Sequence, residues 1–158
     1  MEFQEKNVLV FGSGKSGIAA AELLEKQNAN IFVFEGNEKQ SVAEIKEKSE
    51  SFAKAEIYVG TLPEEVMDKL DFVVLSPGVP TDLPLVNAMR DKKIMIIGEI
   101  ELAYQVAKGK ILAITGTNGK TTTTTLVGEI LSNYFKDVKV VGNIGIPYTS
   151  VAADTTEE

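Results

Sequence analysis

The sequence contains neither cysteine nor histidine. Without cysteine there is no disulfide framework, no thiolate metal site and no thiol nucleophile. Without histidine the usual near-neutral proton carrier is missing, so acid, base or metal chemistry falls to carboxylates, hydroxyls and lysines. Basic runs are absent as well, and the formal net charge is -7. That balance excludes the clustered Lys and Arg attraction on which non-specific nucleic-acid or anionic-membrane binding depends. Anionic ligands are then held by backbone dipoles and single lysines. No stretch approaches the ~20 apolar residues of a membrane span, and the start Met1-Glu2-Phe3-Gln4-Glu5 lacks the basic-then-apolar form of a signal peptide. The expected address is the cytoplasm, with no membrane insertion and no nucleic-acid partner.

What is present is an ordinary globular composition, 44% hydrophobic and 25% charged, with enough apolar surface for a core. Short apolar runs recur at Val8–Phe11, Ile31–Phe34, Ile57–Val59, Phe72–Leu75, Ile94–Ile97, Ile111–Ile114 and Val138–Val141. They are β-branched and continuous rather than alternating, which predicts strands buried on both faces. Between the first two, Ile18, Ala21 and Leu24 form an apolar stripe, Glu22, Glu25 and Lys26 face away, and Gln27-Asn28 ends the helix. Strand, helix, strand is the right-handed crossover unit. The pattern returns later, with Leu126, Val127, Ile130, Leu131 and Tyr134 apolar and Glu129, Ser132 and Asn133 on the wet face.

Two glycine-rich loops carry the chemistry. Gly12-Ser13-Gly14-Lys15-Ser16-Gly17 is a G-x-G-x-x-G between a predicted strand and a predicted helix. Its glycines allow a tight turn and let a phosphate approach the helix amino terminus, whose free N–H groups attract anions. Glu35 ends the next strand, where a carboxylate can accept hydrogen bonds from ribose or sugar hydroxyls. A dinucleotide and a UDP-sugar make similar demands on such a loop. Ser76-Pro77-Gly78 follows the fourth strand and lies at the same sheet edge if the strands are parallel.

The second loop is Thr115-Gly116-Thr117-Asn118-Gly119-Lys120-Thr121-Thr122. Gly119 and its neighbours can wrap N–H groups around a β-phosphate, Lys120 can bridge β- and γ-phosphates, and the Thr121 hydroxyl can sit on Mg²⁺. Ile114 stands where the common phosphate loop has its first glycine, which points to the shorter G-x-x-G-K-T form. Gly142-Asn143-Ile144-Gly145 follows the last strand, and an Asn between glycines can turn its amide toward a substrate carbonyl or phosphate.

The fold class predicted from these elements is α/β: a Rossmann-like doubly wound parallel sheet followed by the start of a P-loop ATPase-type α/β domain. The boundary is placed near Lys93, giving a Rossmann-like unit at 1–93 and an incomplete phosphate-loop unit at 94–158. The second unit has only two predicted strands, too little to stand alone unless it docks on its neighbour, and reads as truncated.

Gly12–Gly17, Ser76-Pro77-Gly78, Gly98-Glu99-Ile100-Glu101, Thr115–Thr122 and Gly142–Pro147, in this order and spacing, resemble the Mur ligases over essentially the whole chain. The L-alanine-adding relatives typically have histidine where Asn118 stands, and later ligases lack the Rossmann-like start, so the resemblance is to the D-glutamate-adding branch. It implies ATP-driven amide formation between UDP-N-acetylmuramoyl-L-alanine and D-glutamate in peptidoglycan synthesis, and with it a part in cell shape and division. ATP and Mg²⁺ are the implied cofactors, and the full-length protein is expected to be a monomer. The resemblance makes 1–93 the UDP-substrate-binding unit and 94–158 the ATP-binding unit. The family pattern puts Lys15 and Ser16, beside Gly14, on the UDP diphosphate. It puts Glu35, Gly36, Asn37 and Gly78 around the uridine, Asn118, Gly119, Lys120, Thr121 and Thr122 on ATP phosphates and Mg²⁺, and Asn143 on the muramoyl substrate. The remaining catalytic groups of the family would follow residue 158, so the chain is expected to bind UDP-substrate without turnover. Two other readings stand beside this one. The first loop alone suits an NAD(P)-binding oxidoreductase domain, which leaves Thr115–Thr122 unexplained, and a non-catalytic nucleotide-binding module is the other.

Overall fold

A computed structural model describes residues 2–157; Met1 and Glu158, the outer ends of the two units drawn from the sequence, lie outside them. Strands β1 (Asn7–Phe11), β2 (Asn30–Glu35), β3 (Glu56–Val59), β4 (Phe72–Leu75) and β5 (Met95–Gly98) form one sheet. Its order is β3-β2-β1-β4-β5 and every pairing is parallel. The central β1 places Val8–Phe11 opposite Ile31–Phe34 on one side and Phe72–Leu75 on the other.

The continuity of the apolar runs has a direct cause in this sheet, because successive side chains point to opposite faces and both faces are covered. Val8, Val10, Val33, Phe72 and Val74 enter one core with Ala20, Ala21 and Leu24 of α1 (Lys15–Lys26), Ile45 of α2 (Val42–Lys46) and Phe52 of α3 (Glu50–Lys54). Leu9, Phe11, Phe34, Val73 and Leu75 enter the other core with Val66 and Met67 of α4 (Glu64–Met67) and Val86 and Met89 of α5 (Pro84–Asp91). Local signals set the helix starts. Ser41 and Glu44 form a reciprocal capping box at α2, the Ser49 hydroxyl accepts from the Phe52 N–H at α3, and Pro84 opens α5 with its φ already helical.

The sheet runs past Lys93. That residue sits at φ 59° in the turn between α5 and β5, so the boundary drawn there falls ahead of the last strand, and β5 pairs with β4 through Gly98. Then α6 (Glu99–Val106) returns to the first core through Leu102 and Ala103. So does a much later segment. Two single-turn 3-10 helices, Tyr148–Ser150 and Ala152–Asp154, lie back on α1 and α6, burying Tyr148, Thr149 and Ala152. The Thr149 hydroxyl donates to Glu99 Oε1 at 3.4 Å in the buried seam, and the Lys108 N–H donates to Thr155 Oγ1 at 2.8 Å.

The second unit departs from the predicted pattern. Residues 111–114 and 138–141 belong to no sheet, apart from a single bridge between Val141 and Ile146. A strand exists only where a neighbour takes its N–H and C=O groups, and two short parallel strands offer each other too little. The helix α7 (Lys120–Ser132) does form, and Gly128 lets it close on Val140, where a Cβ would stand 2.6 Å from Val140 Cγ2. Its apolar stripe is only partly covered: Val127 and Leu131 are half-buried, but Leu126, Ile130 and Tyr134 are exposed, as are Ile111 and Leu112. Among the described residues no helix is long and apolar enough to cross a membrane.

Candidate ligand-binding site at the carboxyl edge of the sheet

The chain winds outward from β1 through β2 to β3, then crosses to the far side of β1 for β4 and β5. Loops leaving β1 and β4 therefore part toward opposite faces and open a crevice at the strand carboxyl ends. The glycine loop and Ser76-Pro77-Gly78 both lie there. They touch: Gly12, at φ 110°, would carry a Cβ only 2.9 Å from Ser76 Oγ, so a side chain at this position would push the two turns apart.

Gly14 is the amino-terminal cap of α1 and contributes no side-chain hydrogen bond, and the first turn of α1 has no acidic residue. The Ile18 N–H bonds back to the Gly14 carbonyl; the amides of Lys15, Ser16 and Gly17 precede it and have no intrahelical acceptor. Free amides with the positive end of a helix dipole favour an anion. A Cβ built on Gly14 or on Gly78 would meet nothing within 4 Å, so the backbone at both places is open to close approach. Lys15 is exposed and Ser16 half-buried.

Glu35 ends β2 beneath this loop, and its carboxylate is already engaged. The Ser13 N–H and hydroxyl both donate to Oε2, at 3.0 and 2.6 Å, and the Asn37 N–H donates to Oε1 at 2.9 Å. An ionised carboxylate has about four acceptor positions. One is therefore left, on Oε1, enough for a single ligand donor but not for the paired hydroxyls of a ribose. Burial pushes the Glu35 pKa up, but the hydrogen bonds from Ser13 and Asn37 and the charge of Lys48 together hold it below the ordinary glutamate value. Because the folded-state value is depressed, this stabilisation is fully present above the unfolded pKa of about 4.3 and is lost as pH falls through the folded value. Glu35→Gln is accordingly expected to lower stability near pH 7 by about 1 kcal/mol, discounted for partial exposure. Thermal unfolding followed against pH should show that difference shrinking on acidification below the glutamate range; a pH-independent difference would remove the charge from the explanation.

Gly36 and Asn37 are exposed beyond β2, with the Asn37 side chain accepting the Lys39 N–H at 3.2 Å. The crevice thus brings together Gly14, Lys15, Ser16, Glu35, Gly36, Asn37 and Gly78 on three adjacent strand ends.

Asn118, Gly119, Lys120, Thr121 and Thr122 form a separate, exposed group at the start of α7. Gly119 caps the helix in the left-handed region, φ 76°, a conformation that glycine adopts without strain. With no acidic residue in the first turn, the Lys120 ammonium folds back onto the carbonyls of Gly116 and Thr117. These residues fit a nucleotide phosphate chain: the first amides of α7 have no intrahelical acceptor, Lys120 supplies one cation, and the exposed Thr121 carries a hydroxyl that can reach a phosphate-bound Mg²⁺. Among the described residues no group of three or more Asp or Glu could hold a metal ion alone. Asn143 is exposed between Gly142 and Gly145, both at positive φ, in a loop closed by the Gly142 N–H donating to the Ile146 carbonyl at 3.1 Å.

Sequence reasoning missed Ser13 and Lys48. Ser13 was only an unspecified position inside the glycine motif, yet it is buried and anchors Glu35. Lys48 reaches Ser13 through the fold alone, and no spacing in the sequence announces that contact.

The chain matches two protein families. Residues 6–98 match the family described as Mur ligase MurD-like, N-terminal domain, and residues 114–158 match the Mur ligase middle domain. A protein named UDP-N-acetylmuramoylalanine--D-glutamate ligase from Lachnoclostridium phytofermentans is 53% identical over 158 residues, covering 100% of this chain and 35% of that protein. The protein of the same name from Lachnospira eligens is 48% identical with the same coverage. The chain thus spans about a third of the length of the curated relatives it matches. Among solved structures, the UDP-N-acetylmuramate:L-alanyl-gamma-D-glutamyl-meso-diaminopimelate ligase from Neisseria meningitides aligns with TM-score 0.53 at 18% identity, covering 80% of this chain and 39% of that one. A pseudomurein peptide ligase type C from Methanothermus fervidus aligns with TM-score 0.52 at 22% identity, covering 81% and 26%. At those identities the likeness is one of fold.

Proposed function

This chain belongs to the Mur ligase family, and on that premise we propose that it supplies the substrate-binding and phosphate-loop parts of an ATP-dependent ligase that joins D-glutamate to UDP-N-acetylmuramoyl-L-alanine. The observation that carries the reading is the pairing, in one chain, of an anion-ready glycine loop at the sheet switch point with a second, separate phosphate loop at the start of α7. A redox domain has no use for the second loop.

In the proposed reaction the alanyl carboxylate accepts the γ-phosphoryl group of ATP, and the D-glutamate amine attacks the resulting acyl phosphate with release of phosphate. The first unit, taken through Gly98 where its sheet ends, holds the UDP part: the amides and side chains of Gly14, Lys15 and Ser16 take the diphosphate, while Glu35, Gly36, Asn37 and Gly78 surround the uridine. Asn118, Gly119, Lys120 and Thr122 bind ATP phosphates, Thr121 contributes its hydroxyl to Mg²⁺, and Asn143 meets the muramoyl part. Charge stabilisation on the transferring phosphoryl group is the main contribution such a loop makes. D-glutamate, the monomeric state and the cytoplasmic setting belong to the same proposal. The chain by itself is proposed to bind UDP-substrate without turning over.

Calorimetric titration tests this directly. UDP-N-acetylmuramoyl-L-alanine is expected to bind saturably and NADH not at all; saturable NADH binding without binding of the UDP compound would refute the ligase reading.

A further inference from the structure

Lys48 lies in the turn between α2 and α3, yet its ammonium is seated on the glycine loop. Nζ donates to the Ser13 carbonyl at 3.2 Å, to Ser13 Oγ at 2.9 Å and to Gln40 Oε1. An ammonium has three protons, and here all three go to neutral oxygens. None of the ion pairs among the described residues includes Lys48, so its charge is held in place without being cancelled by direct contact. The intermediary is Ser13, only 1% exposed, whose hydroxyl gives its one proton to Glu35 and accepts from Lys48. A carboxylate and an ammonium are thereby joined through a single serine oxygen at the entrance to α1.

This arrangement answers an electrostatic problem. A chain of net charge -7 carries an ionised glutamate directly beneath a loop suited to a dianion. Two like charges so placed repel, and that repulsion opposes the free amides of α1 and the exposed Lys15. A cation fixed on the same serine offsets Glu35 and leaves the helix amino terminus electropositive.

Resting on the reading of this loop as a diphosphate site, we propose that Lys48 is a further specificity determinant there, a fixed cation that makes the loop select phosphorylated over unphosphorylated nucleosides. Its role is one of charge rather than of shape, so arginine serves in its place and salt weakens the effect. Lys48 is exposed, and removing its ammonium leaves both hydrophobic cores intact.

The experiment titrates this chain, Lys48→Gln and Lys48→Arg with UDP and with uridine, at low and at high salt. Lys48→Gln is expected to weaken UDP binding about five-fold, with uridine unchanged, Lys48→Arg close to the parent, and the gap narrowing as the Debye length falls from about 30 Å at 0.01 M to about 3 Å at 1 M salt. Equal losses for UDP and uridine, or no loss for either, would overturn the proposal while leaving the diphosphate reading in place. If the parent chain binds uridine as well as it binds UDP, the diphosphate reading itself fails, and the role of Lys48 fails with it.

Discussion

Gly17→Ala is expected to unseat the glycine loop. A Cβ at this position would lie 1.9 Å from the Gly12 carbonyl oxygen and 3.0 Å from the Gly12 carbonyl carbon, and both are backbone atoms with no rotamer to turn away. Val10 Cγ1 closes the remaining side at 3.4 Å. The first turn of α1 must therefore lift off β1, although alanine is the better helix former and φ at Gly17 is not in the left-handed region. Overpacking of this kind costs about 1–3 kcal/mol, and the upper end applies because the clash is backbone on backbone. The damage reaches further than stability. Gly12 also abuts Ser76, so movement at Gly12 shifts both turns that border the crevice. Denaturant unfolding should show the lost stability, and the proposed UDP binding should fall by more than the stability change alone explains. Parent-like stability and binding would mean that helix and strand are not packed this closely.

Lys120→Ala is expected to act in the opposite manner, with a large effect on ligand and almost none on the fold. Its ammonium bonds only to carbonyls of its own exposed loop, and α7 begins with an unfavourable cation at the positive end of its dipole. An anion reverses that penalty. Hydrogen bonds from a charged donor are worth ~1.5–3 kcal/mol, so loss of the ammonium should weaken Mg-ATP binding by about 10- to 100-fold. If the lysine bridges the β- and γ-phosphates as proposed, the loss should be smaller for ADP and absent for AMP. Equal losses for all three nucleotides, or a drop in thermal stability of similar size, would show that Lys120 supports the loop rather than the phosphates.

The parts of this molecule that were legible in the sequence are those whose cause is local or periodic. Val8–Phe11 and Phe72–Leu75 read as two-sided strands because both faces of the sheet are covered, and they are strands. The stripe Ile18, Ala21, Leu24 and the stop at Gln27 gave α1 its limits for the same reason. Ile111–Ile114 has an equally good strand pattern and forms none, because a pattern states what a segment can bury and not whether a neighbour is there to accept it. The apolar stripe of α7 tells the same story: Gly128 finds Val140, while Leu126, Ile130 and Tyr134 stay exposed.

Long-range contacts were the least legible. Nothing in Tyr148 or Ala152 announces that they finish the core of a unit whose last strand ends at Gly98, since their burial depends on the path of the intervening chain. Glu35 was found by position, but its hydroxyl partner was expected on a ligand; the structure places that partner inside the protein, at Ser13. The motif located the edge of the sheet where a ligand would bind, and only the fold revealed which of its polar groups are already committed.

The most direct test is an amide-resolved NMR titration of this chain with UDP-N-acetylmuramoyl-L-alanine. Saturable shifts are expected to be largest at Gly14, Lys15, Ser16 and Gly78, the two turns that flank the switch point, with smaller shifts at Gly36 and Asn37. Shifts centred on α7 or on the face remote from the strand carboxyl ends, or the same pattern saturated equally well by NADH, would contradict it.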